Sequence, residues 1–184
     1  MSLILVTGAA GFTGRYVVRA LVDAGHEVHG IVHHEREDVV PELARTHVGD
    51  ITDLAALNRI VEEVRPAQVV HLAAIAFVAH DDIGQMYATN VVGTRQLLEA
   101  LARSPCAPAS VIIASSANIY GNAQEGQLDE SVEPSPANDY GVSKLAAEHV
   151  AALYSPRLPI IVVRPFNYTG VGQGTNFLLP KIVA

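Results

Sequence analysis

Three short stretches of this chain bring together residue types that do chemistry. The first is Asp139-Tyr140-Gly141-Val142-Ser143-Lys144. Tyr140 and Lys144 are four residues apart, so on a helix they share one face. A neighbouring ammonium favours the phenolate and lowers a tyrosine's pKa, which makes Tyr140 a candidate proton donor and acceptor. The second stretch is Thr7-Gly8-Ala9-Ala10-Gly11-Phe12-Thr13-Gly14, with a glycine at every third position directly after the apolar run Leu3-Ile4-Leu5-Val6. Between a strand and a helix, such glycines suit a bound pyrophosphate. Gly8 allows the tight turn, Gly11 withholds a Cβ where the phosphates approach, and Gly14 lets the helix pack close to the sheet. The helix N-terminus then offers N–H groups and partial positive charge. A third stretch, Ile113-Ala114-Ser115-Ser116-Ala117-Asn118-Ile119-Tyr120-Gly121, puts two hydroxyls at the end of an apolar run. There a serine can meet a substrate oxygen beside the tyrosine, or simply end a strand in a turn.

Placing these side chains together needs a framework, and the hydrophobic pattern supplies an alternating one. Leu3–Thr7 reads as a buried strand. Residues 13–24 show helical spacing, with Tyr16, Val17, Ala20 and Leu21 on one face, and Gly25 stands where that helix stops. Residues 28–32, 47–49, 68–72, 110–115 and Ile160–Val163 read as further strands. Leu54–Val64, ending before Pro66, then residues 84–103 and 139–153, read as helices. Apolar strands separated by helices imply a parallel sheet with helices on both faces. Residues 121–138 interrupt this rhythm with a polar stretch rich in Pro, Glu and Ser, a length typical of functional loops.

Composition narrows the class. The chain has 184 residues, 49% of them hydrophobic, with a formal charge of −7. That supports one sizeable core and argues against a nucleic-acid partner. No apolar run reaches a membrane span, and the N-terminus has no basic segment ahead of its short apolar run. The lone Cys106 precludes an internal disulfide and points to a reducing cytoplasm. His26, His29, His33 and His34 crowd one region, but their context is a strand flanked by turns rather than a metal site. A dinucleotide also needs its ribose read, and NAD sites place an acid at the end of the second strand. Here that strand ends Ile31-Val32-His33-His34-Glu35-Arg36. His33 and Arg36 lean toward a 2′-phosphate and hence NADP, while Glu35 leaves NAD open.

Further stretches complete a pattern: Gly49-Asp50-Ile51, His71-Leu72-Ala73-Ala74, Thr89-Asn90-Val91-Val92-Gly93-Thr94 and Arg164-Pro165-Phe166-Asn167. In this order the chain resembles the extended short-chain dehydrogenase/reductase family, in its nucleotide-sugar epimerase, dehydratase and reductase group. The resemblance implies a doubly wound Rossmann sheet over residues 1–170. Residues 171–184 would begin a C-terminal substrate part that is largely absent from this chain. It implies that Gly8, Gly11, Phe12 and Thr13 hold the pyrophosphate, that Asp50 and Ile51 flank the adenine, and that Leu72, Ala73 and Ala74 line the way to the nicotinamide ribose. Pro165 would lie near the nicotinamide and Asn167 would contact the phosphates of a sugar nucleotide. Asn90 would shape the site from its helix. Ser116, Tyr140 and Lys144 would be the catalytic set, and the helices over 84–103 and 139–153 would pair two chains as a homodimer.

Within that group, dehydratases carry acids just after the catalytic Ser or Thr, where this chain has Ala117 and Asn118. A reaction at C4 of the sugar remains. The segment Arg164-Pro165-Phe166-Asn167-Tyr168-Thr169-Gly170-Val171-Gly172-Gln173 is similar to that of GDP-4-keto-6-deoxymannose reductases, so a 4-keto-6-deoxy sugar-nucleotide reductase is expected. A nucleotide-sugar 4-epimerase is the alternative, and a non-catalytic NADP-binding sensor or scaffold is the alternative of another class.

Overall fold

The computed structural model describes residues 1–33, 40–76, 81–122, 126–175 and 177–183. Its six strands are β1 (Leu3–Thr7), β2 (Glu27–Val32), β3 (Arg45–Val48), β4 (Gln68–His71), β5 (Ser110–Ala114) and β6 (Ile160–Val163). They form one sheet in the order β3-β2-β1-β4-β5-β6, and every neighbouring pair is parallel. This is the doubly wound order, whose direction of winding reverses between β1 and β4.

Alternation along β1 builds two cores, one on each face. Leu5 faces the larger, with Leu57, Leu97, Leu98, Leu101, Val111 and Ala151. Val111 comes from β5 and the others from helices α2 (Leu54–Val64), α4 (Thr94–Arg103) and α5 (Asp139–Tyr154). Ile4 and Val6 face the smaller, with Val28, Val70 and Val18 of α1 (Phe12–Asp23). Helix α1 buries Gly14 and Val18 fully; of the face expected through Tyr16, Val17, Ala20 and Leu21, Val17 and Leu21 pack against this core, whereas Tyr16 and Ala20 are exposed. Tyr16 is 49% exposed because it packs edge-on against Phe12 and donates to the carbonyl of Val171 at 2.9 Å. A tyrosine's apolar ring with a polar tip suits that half-exposed place.

The long helix expected over residues 84–103 is interrupted. It runs as α3 (Ile83–Tyr87), a π-helical turn (Ala88–Gly93) and α4. The Asn90 side chain accepts from Ile75 N at 2.8 Å, and its amide donates to Ile75 O and to Ser143 Oγ, both at 3.0 Å. The Thr94 hydroxyl donates to Asn90 O at 2.6 Å, and side-chain insertion of this kind widens a helical turn. A short helix α6 (Leu178–Val183) ends the described chain, and a 3-10 turn (Ala117–Tyr120) follows β5; neither was expected. Among the described residues no helix is long and apolar enough to cross a membrane.

Gly14 has no room for a larger residue, since a Cβ there would overlap the carbonyl oxygens of Gly8 and Ala9. Gly14→Ala should lower stability by about 2 kcal/mol, and Leu101→Ala, which empties a fully buried site, by about 3 kcal/mol. Urea unfolding monitored by circular dichroism checks both.

Candidate functional site

The reversal between β1 and β4 opens a crevice at the carboxyl edge of the sheet, where such folds bind ligands. A cavity of about 450 Å³ occupies it. Gly8 and Gly11 form its floor, His33, Asp50 and Ile51 one wall, and Ala73 and Ala74 the other, with Gln85 and Thr89 above. Gly8 turns at φ +67°, and a Cβ on it would stand 2.8 Å from Ala73 N, so the turn lies hard against the end of β4. Helix α1 starts at Gly11 with no side-chain cap and no acid in its first turn. Asp53, Asp82 and Asn138, by contrast, cap α2, α3 and α5. The first N–H groups of α1 thus face the crevice end without a side-chain acceptor, the arrangement that binds anions.

The other expected cofactor residues lie around this cavity rather than on it. The Phe12 ring stacks on Tyr168 with centroids 6.2 Å apart, and Thr13 Oγ1 is 2.6 Å from Tyr168 Oη. Both side chains therefore meet the segment after β6. Leu72 packs into the smaller core. Pro165 is half-buried and accepts a hydrogen bond from Ala117 N at 2.9 Å. Asn167 is exposed. Arg36, on which part of the NADP reading rested, lies outside the described residues. His33 Nε2 is 3.7 Å from Asp50 Oδ2. The Asp50 carboxyl is held below its ordinary range chiefly by the backbone N–H and hydroxyl of Thr52, at 2.8 and 2.7 Å.

Ser116, Tyr140 and Lys144 are all buried, on the turn after β5 and the first turns of α5. Ser116 Oγ accepts from Asn118 N and Asn118 Nδ2, both at 3.1 Å. Its one proton is left to turn toward Tyr140, whose phenol it influences. Burial pushes the Tyr140 phenol up, the Ser116 hydrogen bond opposes this, and the nearby Tyr168 adds to the rise. The lowering expected from Lys144 is not found, and burial sets the direction, because a phenolate in this apolar setting is costly. Lys144 is only 6% exposed, and burial draws its ammonium down to about 8, against the attraction of Glu148. That ammonium makes no hydrogen bond to a described residue. Ser115 Oγ is likewise buried without a partner. A buried charge and a buried hydroxyl without a partner among the described residues are the marks of groups that meet a ligand.

Behind the site runs a network that spacing alone does not reveal. The Thr94 hydroxyl is spent on Asn90 O, so at 2.9 Å it accepts from the Nε2–H of His71. His71 Nδ1 is then bare and accepts from Thr7 Oγ1 at 2.7 Å, while Thr7 Oγ1 accepts from Ala73 N at 3.2 Å. His71 is not on the cavity surface and acts as a strut behind it. The chain continues through Asn90 to Ser143, which donates to Tyr140 O at 2.8 Å. Polar residues inside apolar elements, Thr7 and Thr94 above all, were the available signal.

Complete burial, reinforced by Lys144, holds the His71 pKa down to about 3. An unfolded histidine titrates near 6.5, so below that pH the unfolded chain takes up a proton that the folded chain refuses. Stability should be full above about pH 6.5 and fall progressively toward about pH 3. His71→Gln should be less stable at neutral pH and show a shallower acid decline, as read by urea unfolding across this range. An unchanged acid slope would contradict the buried neutral imidazole.

Known proteins resemble this chain in sequence and fold. Residues 4–184 match the profile of the family described as NAD dependent epimerase/dehydratase. The chain is 35% identical over 181 residues to a GDP-6-deoxy-D-talose 4-dehydrogenase from Aggregatibacter actinomycetemcomitans, covering 98% of this chain and 58% of that protein. A crystal structure from Burkholderia cenocepacia J2315 superposes with a TM-score of 0.91 at 48% identity, over 99% of this chain and 59% of that one. The UDP-glucose 4-epimerase from Brucella ovis, solved in complex with NAD, gives a TM-score of 0.82 at 31% identity, over 91% of this chain and 52% of that one. The chain thus spans little more than half the length of the relatives it matches. A six-stranded doubly wound sheet, a glycine turn at its switch point and a match along nearly the whole sequence establish that this chain belongs to the NAD-dependent epimerase/dehydratase family, the extended short-chain dehydrogenase/reductases.

Proposed function

We propose that this chain is the dinucleotide-binding and proton-transferring part of an NAD-dependent enzyme acting at C4 of a nucleotide-linked sugar, working as a 4-keto-6-deoxy sugar-nucleotide reductase. Residues 1–170 form the dinucleotide-binding domain, and residues 171–184 open the part that holds the sugar nucleotide. The observation that carries this reading is the joint burial of Ser116, Tyr140 and Lys144, with Tyr140 and Lys144 on one helix face and Ser116 bearing on the Tyr140 phenol.

The residues present fit a dinucleotide. Gly8, Gly11 and the uncapped N-terminus of α1 take the pyrophosphate, with Phe12 and Thr13 contributing backbone N–H groups. Asp50 and Ile51 take the adenine, and Ala73 and Ala74 flank the path toward the nicotinamide ribose, whose hydroxyls satisfy Lys144. NAD is the favoured form. It is the dinucleotide bound in the Brucella ovis relative, and His33 faces the Asp50 carboxylate. When bound, the nicotinamide supplies or accepts a hydride at the sugar carbon. Ser116 Oγ–H turns from Tyr140 to the C4 oxygen, fixed in direction by Asn118. Tyr140 Oη then delivers the proton to that oxygen, and the Lys144 ammonium stabilises the resulting phenolate. Run backwards, the same groups remove a proton from a C4 hydroxyl. A relative named as a 4-dehydrogenase of a GDP-linked 6-deoxy sugar supports this chemistry. Elimination of water is disfavoured, because Ala117 and Asn118 offer no acid and Asn118 is spent on orienting Ser116. The 4-epimerase reading keeps one specific support, the likeness to UDP-glucose 4-epimerase.

Turnover of GDP- and UDP-linked 4-keto-6-deoxyhexoses, followed at the nicotinamide absorbance band, tests the reading. The full chain should oxidise NADH in the presence of one of them. Tyr140→Phe should reduce that rate by about 10²–10⁴-fold, with dinucleotide binding nearly unchanged. Exchangeable NADH identifies a reductase, whereas tightly retained oxidised NAD identifies an epimerase. Full activity in Tyr140→Phe would overturn the catalytic assignment.

A further inference from the structure

One charged cluster touches every element that carries the proposed reaction. Arg164 follows β6 and opens the segment containing Pro165 and Asn167. Its guanidinium donates through Nε and Nη2 to the two carboxylate oxygens of Glu148, at 3.0 and 2.8 Å. Nη1 donates to Tyr120 Oη at 2.8 Å, and the guanidinium carbon lies 5.3 Å from the centroid of the same ring. Tyr120 is buried and ends the turn that begins at Ser116. Glu148 stands one helical turn beyond Lys144 and two beyond Tyr140 on α5, so the three share a face. The side chains of the pair are only 21% and 12% exposed.

A partly buried ion pair of this kind is poorly explained by stability, since apolar residues of similar volume often serve as well. The planar fork of arginine, however, fixes a carboxylate in direction as well as charge. We propose that Arg164 and Glu148 are a positioning pair that locks the Ser116 turn, the Tyr140–Lys144 helix and the Pro165–Asn167 segment into one unit, with the Glu148 carboxylate as the counterion of Lys144. This rests on the dinucleotide reading of Lys144 for its purpose, though not for its test.

The groups that bear on the Lys144 charge are Tyr140 and Glu148 on α5, His71 at the end of β4, which is neutral, and Arg164 beyond Glu148. Burial draws the ammonium toward neutrality and Glu148 opposes that. Glu148 thus extends the pH range over which Lys144 stays charged, and Arg164 moderates Glu148. Glu148→Gln and Arg164→Gln both break the same ion pair, yet they should displace Lys144 in opposite directions.

The chain contains only two lysines, Lys144 and Lys181, so lysine labelled with carbon-13 at Cε gives two resonances, assigned with Lys181→Arg. Titration of the free full chain by NMR should place the Lys144 midpoint near 8. Glu148→Gln should lower it by about half a unit or more, a roughly threefold change in the dissociation constant, and Arg164→Gln should raise it. The alkaline limb of the kcat/KM profile should move with it in each variant. If Glu148→Gln does not fold, Glu148→Asp, which withdraws the carboxylate by one methylene, should show the same downward displacement. An unmoved midpoint in the Glu148 variant, or displacement of both variants in one direction, would overturn the counterion role. Because the titration is read without dinucleotide, a chain that bound no NAD would defeat the functional reading while leaving this result to stand or fall separately.

Discussion

An ammonium removed from water and given no protein acceptor is the constraint around which this site is arranged. Lys144 is nine-tenths buried at the carboxyl edge of the sheet, in a setting that favours its neutral form. Leaving such a charge uncompensated is strongly destabilising, so its surroundings are organised to hold it. Glu148 supplies opposite charge from the next turn of the helix. His71, neutral and locked between two threonine hydroxyls, adds none of its own. What remains open, among the described residues, is the hydrogen-bonding capacity of the ammonium itself.

The remaining architecture follows from keeping that charge, a phenol and a serine hydroxyl in register with the glycine turn. The Gly8–Gly14 turn brings α1 against the sheet because larger residues would collide with backbone there. From the end of β1, hydrogen bonds of fixed direction pass through Thr7, His71 and Thr94 to Asn90, and on through Ser143 to the backbone of Tyr140. The end of β1 before the glycine turn and the helix that carries Tyr140 are therefore tied through buried polar groups. Such groups specify geometry because leaving any one of them unpaired is costly.

Much of this was legible because chemistry demands certain residue types at fixed spacings. The glycine triplet, the Tyr140–Lys144 spacing and Ser116 at a strand end all fell where reading the chain placed them, and β1, α2 and β6 kept their expected bounds. The misreadings share a cause, dependence on distant partners. Tyr16 looked apolar in the pattern, but its hydroxyl is claimed by Val171, 155 residues away. Helical periodicity over residues 84–103 could not show a π turn made by Asn90 reaching Ile75. The Tyr140 pKa depends on burial as well as on its neighbour, so helix spacing misjudged its direction. The ion pair of Arg164 with Glu148 joins a strand end to a helix sixteen residues earlier, and nothing in local spacing marked it.

Direct observation of the dinucleotide is the sharpest measurement. In a crystal of the full chain grown with NAD, the pyrophosphate should lie at the N-terminus of α1 against Gly8 and Gly11. The ribose hydroxyls should lie within hydrogen-bond distance of Lys144 Nζ, with the nicotinamide ring beside Tyr140. A dinucleotide bound away from the β1–β4 crevice, or seated in it with Lys144 still lacking a partner, would contradict the central claim.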